Sequence, residues 1–171
     1  MRLRLREGID VDLLDIGVIP GVAMTRRIID FHAHAFPDAL ASRAMKALLE
    51  EAPGIKAYLD GTVADLLRSM DAAGIETSVV CCIATKPEQF EPILRWCGDI
   101  QSERLIVFPS VHPADPKWRE RIGRIAAEGF KGVKLHPFYQ DFFAAEERML
   151  RFYKEVTQHG LLLVMHTGFD I

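Results

Sequence analysis

Four short apolar, β-rich runs recur at nearly constant spacing: Ile75 to Ala84, Leu105 to Val111, Gly132 to His136 and Leu161 to His166. Their starts lie 30, 27 and 29 residues apart, with segments of helical character between them at 87–99, 116–128 and 144–158. A strand followed by a helix before the next strand returns the chain to the same end of the sheet, so successive strands pair in parallel. A fifth run, Arg27 to His34, precedes them, separated from Ile75 by helical stretches at 38–51 and 62–73. Asp38 reads as the N-cap of the first of these, Thr62 with Asp65 opens the second, and Gly74 stops it. The expectation is an α/β fold of five βα units, wound as a barrel or as an open doubly wound sheet.

Composition narrows the class. With 49% hydrophobic and 26% charged residues, the chain reads as a soluble globular domain. Twenty-one basic residues are offset by 24 acidic ones, for a net charge of −3, so no basic footprint for nucleic acid is present. Arg119, Arg121 and Arg124 read as the solvated face of a helix. No apolar run approaches the roughly 18 residues of a membrane span, and no signal-type segment follows Arg2, Arg4 and Arg6. Cys81, Cys82 and Cys97 lack a disulfide framework and read as reduced, buried thiols of a cytoplasmic protein. Residues 1–23 end in Pro20-Gly21 and differ in character. They read as an added edge strand or an upstream translation start, poorly ordered in either case, ahead of a domain at 24–171.

Histidines mark the candidate site. In Asp30-Phe31-His32-Ala33-His34, side-chain alternation puts His32 and His34 on one side of the strand end, with Asp30 below, and two imidazoles one pleat apart can converge on one metal ion. His112, His136 and His166 each stand at or just past the carboxyl end of a strand, the face on which parallel α/β folds bind ligands. His166 shares a face with Leu162 and Val164 and is the best third metal ligand. Lys134 and His136 share a face of the preceding strand. Lys134 reads as a carboxylated metal bridge, a substrate-carboxylate anchor or a core-edge lysine with a buried stem, the last two combined being favoured. His112 either orients substrate or caps a turn. His159 reads as structural, at a helix end. Phe138, Tyr139, Phe142 and Phe143 cluster after the fourth strand and either wall a substrate or pack over the mouth.

The motifs IIDFHAHAFP, GFKGVKLHPFYQDF and LLLVMHTG together resemble the first, fourth and fifth strand motifs of the metal-dependent amidohydrolase superfamily. The branch most like them is the amidohydrolase-related one that includes aminocarboxymuconate-semialdehyde decarboxylase-like enzymes. The resemblance covers residues 26–171. It implies a (β/α)8 TIM barrel with one divalent ion, zinc foremost and Mn²⁺ or Fe²⁺ as alternatives, held by His32, His34 and His166. His136, Lys134 and His112, read from their places at the strand ends, are the candidate catalytic groups, acting on a small-molecule substrate. A complete barrel usually needs about 250 residues, so the chain holds about the first five units. The family's later histidine and aspartate, from strands six and eight, fall beyond them. The chain is therefore expected to be part of a longer product or a homo-oligomer that covers its open sheet edges. The expected function is hydrolysis or decarboxylation of a small organic acid, amide, ester or lactone. Rival readings are a TatD-like or PHP-like phosphoesterase or DNase, which also begins with HxH, and a catalytically silent half-barrel assembly module.

Overall fold

Each expected run becomes a strand or helix in the computed structural model, which describes residues 2–4, 10–12, 27–51, 54 and 56–167. The strands are β1 (Arg2–Arg4), β2 (Asp10–Asp12), β3 (Ile29–Ala33), β4 (Thr77–Cys81), β5 (Leu105–Phe108), β6 (Gly132–Leu135) and β7 (Leu162–Met165). The helices are α1 (Asp38–Glu51), α2 (Val63–Ala73), α3 (Phe90–Ile100), α4 (Trp118–Ala127) and α5 (Glu147–Gln158), with a 3₁₀ turn over Pro87–Gln89 ahead of α3. β1 pairs antiparallel with β2 in a ribbon of its own. The strand expected near Arg2 thus pairs within the extension, and the rest of residues 1–23 lies outside the described residues.

β3, β4 and β5 pair in parallel in sequence order, and β6 pairs in parallel with β7. A single parallel bridge, Ser110 with Lys134, joins the two groups. The ladder is thin there because Pro109 has a carbonyl but no N–H; its oxygen accepts from Lys134 N at 2.9 Å. Five parallel strands in chain order, each crossing over through helix, form part of a TIM-type barrel.

Strand alternation sorts the core into two layers. Val80, Cys82, Leu105, Val107, Val133 and Leu135 face the helices and pack with Leu94, Ile122, Ile125 and Phe152. Val79, Cys81 and Phe108, with Ile106 and Val164 against them, fill the inner face. β4 and β6 are buried throughout, whereas Ile29 of β3 is 56% and Leu162 of β7 is 54% exposed. Among the described residues these end strands have a neighbour on one side only, so their side chains lose less water-accessible surface.

Local signals explain the helix ends. The Thr62 hydroxyl accepts from Asp65 N at 3.1 Å, and Gly74 closes α2 at φ 67°, as expected. Asp38 is a correction: it lies inside the first turn of α1, and the Pro37 carbonyl takes the Leu40 and Ala41 N–H groups. Among the described residues no helix is long and apolar enough to cross a membrane.

Candidate metal centre at the carboxyl ends of the strands

β3 reaches the site through a β-bulge. Asp30 pairs with Ser78 and Ala33 with Val80, so three steps on β3 answer two on β4. Asp30 accepts the His32 N–H at 3.1 Å, which supports the extra residue. The bulge interrupts the simple alternation expected from Asp30 to His34, and the Asp30 carboxylate serves the backbone of the bulge.

His32 and His34 nevertheless meet, with ring centroids 4.9 Å apart and planes at 57°. His34 Nδ1 lies 2.8 Å from the Cys81 carbonyl. A carbonyl can only accept, so Nδ1 carries the proton and Nε2 the lone pair. The packed protein around His34 pushes its pKa down to about 4, opposed by that hydrogen bond and reinforced by the charges of His32, Lys134 and His136. Part of the ring stays open at the mouth, yet the neutral form holds at neutral pH. His32 is also lowered, by burial first and then by Lys134 and His166, against Asp30. Two neutral imidazoles are the form a divalent ion binds.

Lys134 is fully buried, and its Nζ lies 2.8 Å from His32 Nε2. The stem thus lies in the core, and the amine reaches the end of β3. His166 continues the β6–β7 ladder through its N–H to the Leu135 carbonyl at 3.1 Å. That places its ring on His136, at 4.3 Å between centroids and 8° between planes, and Tyr139 lies 4.4 Å from His136 on its own loop. The strand ends thus gather His32, His34, Lys134, His136 and His166 in one region. His112 has partners of its own: its Nδ1 accepts from Ala114 N at 3.2 Å and its carbonyl from Asp115 N at 2.9 Å, the geometry of a turn cap. The charges facing it are Asp115, Arg148, Glu88 and Asp141.

In the aromatic loop Phe142 is buried, while Phe138 is 68% and Phe143 81% exposed. His159 ends α5, 3.3 Å from Glu155, in the structural place expected. All three cysteines are free and buried. Burial pushes Cys81 up to about 11, and the contact with Cys97 together with burial holds Cys82 well above the thiol range, so both are poor nucleophiles.

As donors, these imidazoles suit a borderline cation such as zinc. Among the described residues, however, no three His, Cys, Asp or Glu side chains group closely enough to hold one ion. The first-strand pair supplies two donors, and the His166 ring lies on His136. Sequence reasoning missed the Cys81 carbonyl, a backbone group that no residue pattern marks. It also missed Gln140, which was legible only as a polar residue four positions after His136.

Parallel strands in chain order with imidazoles at their carboxyl ends make up part of a TIM-type barrel with its ligand-binding face. The amidohydrolase family model matches residues 29–171, and the chain belongs to that family. No curated protein matches it in sequence. Among solved structures, the IDCase of Metarhizium anisopliae in apo form superposes with a TM-score of 0.60 at 14% identity, over 83% of this chain and 50% of that one. A 5-carboxyvanillate decarboxylase from Novosphingobium aromaticivorans, with bound manganese and 3-methoxy-4-hydroxy-5-nitrobenzoic acid, gives 0.60 at 16% identity, over 82% and 50%. A probable 2-pyrone-4,6-dicarboxylic acid hydrolase from Acinetobacter baumannii, with citric acid bound, gives 0.50 at 20% identity, over 82% and 49%. The chain spans about half the length of these structures.

Proposed function

We propose that this chain contributes the first five βα units of a metal-dependent amidohydrolase that hydrolyses or decarboxylates a small organic acid, amide, ester or lactone. The observation that carries the reading is the pair His32 and His34 at the strand end, with His34 held by the Cys81 carbonyl so that Nε2 bears the lone pair. His32 and His34 would supply two ligands of one divalent ion, zinc foremost, and His166, whose ring lies on His136, is assigned as the third on family membership alone. When bound, such an ion lowers the pKa of water to about 7 and polarises a carbonyl. Lys134 brings its amine to the same rim, 2.8 Å from His32 Nε2, as the group to meet a substrate carboxylate. His136, between His166 and Tyr139, is placed to take or return a proton. His112 shapes the mouth through its turn. The acids named in two of the structural matches support an organic acid as substrate. Three free buried thiols support a cytoplasmic setting. The exposed end strands support self-association when the chain stands alone.

The test combines metal titration with a substrate panel. About one zinc or manganese ion per chain is expected, lost in His32→Ala, with turnover confined to carboxylic acids, amides, esters or lactones. A folded protein that takes up no metal, or one that cleaves nitrophenyl phosphate and none of these, overturns the reading.

A further inference from the structure

The seam between β5 and β6 is where the backbone ladder is thinnest and where two candidate catalytic groups, Lys134 and His136, enter the site. Side chains take over there. The Ser110 hydroxyl donates to the Lys134 carbonyl at 2.9 Å, and Gln140 Nε2 donates to the Ser110 hydroxyl oxygen at 3.2 Å. The same Nε2 faces the carbonyls of Ala84 at 3.0 Å and Val111 at 3.3 Å. Gln140 Oε1 accepts the His136 N–H at 2.8 Å. One buried amide therefore ties together the chain just past β4, β5 and β6.

Its orientation is determined. Oε1 meets a donor, whereas Nε2 meets two carbonyls and a hydroxyl whose own proton is committed to Lys134. Flipping the amide would set oxygen against oxygen and N–H against N–H. The loop is shaped to return Gln140 to this place: its N–H donates to the His136 carbonyl at 3.0 Å and Phe142 N–H to the Pro137 carbonyl at 3.1 Å. Asp141, between them, takes a left-handed φ of 50°. With Gln140 1% exposed and Ser110 fully buried, water cannot replace these bonds if they are cut.

We infer that Gln140, acting with Ser110, is the positioning residue of the site: a side-chain clasp that places His136 and Lys134 where the sheet's ladder gives out. The inference rests on the proposed function only for the chemistry that His136 and Lys134 perform. Neither clasp residue touches the reacting atoms; each acts through a neighbour.

Nuclear magnetic resonance of the metal-free, isotopically labelled chain tests it without needing a substrate. In Gln140→Leu the His136 amide is expected to exchange about tenfold faster or more. The His136 ring nitrogen signals should shift while those of His34, held by Cys81, stay in place. In Ser110→Ala the carbonyl carbon signal of Lys134 should move upfield as its hydrogen bond is lost. If Gln140→Leu fails to fold, Ser110→Ala decides through the Lys134 and His136 signals. Folded variants with both residues at their wild-type positions overturn the inference, as does an equal loosening of His34 and His136. Absence of metal uptake by the wild-type chain would sink the proposed function and leave this readout unaffected.

Discussion

Protonating His34 is harder in the folded chain than in the unfolded one, since packing lowers its pKa from the ordinary 6.5 to about 4. Between those values the unfolded state binds the extra proton, so His34 withdraws stability as pH falls from about 6.5 towards about 4. Urea denaturation of the metal-free protein across this window should show that loss, and His34→Gln should flatten the slope. Glu76, held below its ordinary 4.5 by Arg27, begins to add its own loss as pH falls past about 4.5, at the lower end of the same window. Gly132 is a second residue-scale constraint. A Cβ there would lie 2.5 Å from the Phe108 ring and 2.8 Å from the Leu162 carbonyl oxygen. Gly132→Ala should cost about 1–3 kcal/mol by overpacking, with part of the loss recovered in the double variant with Phe108→Leu. Chemical denaturation measures both.

At the scale of elements, α2 has the most complete ends. The Thr62 hydroxyl takes the Asp65 N–H, while Asp60 accepts from both the Thr62 N–H and its hydroxyl. Thr62→Ala should cost about 1 kcal/mol and Thr62→Ser much less, as read from thermal or urea unfolding. α2 was legible because its signals are local: a capping residue, an apolar stripe and a glycine stop. The boundaries of α4 and α5 were less so. Helix was expected from residues 116 and 144, but the structure starts it at Trp118 and Glu147. In α4, Asp115 accepts the Lys117 N–H at 2.8 Å, holding the preceding turn apart from the helix.

At the scale of the whole molecule, among the described residues the inner strands have a neighbour on both sides and the end strands on one. α1 buries only Ala41 among its side chains, leaving Leu40, Leu48 and Leu49 exposed. The open β3 and β7 edges predict concentration-dependent association of the isolated chain, measurable by sedimentation velocity. Ile29→Lys, which sets a charge on the β3 face, should shift it towards monomer. A chain that stays monomeric at high concentration would count against the self-association proposed above.

The order of strands and helices, the α2 caps and the positions of His32, His34, His136 and His166 at strand ends were all present in the sequence. Each follows from periodicity or from signals a few residues apart, which local sterics and hydrogen bonding decide. The bulge in β3, the stacking of His136 on His166 and the Gln140 clasp were not. The meeting of Lys134 with His32 spans 102 positions. Such contacts depend on register between strands and on how loops return over the sheet, and only the packed chain sets these, because a one-residue shift in pairing re-aims every side chain beyond it.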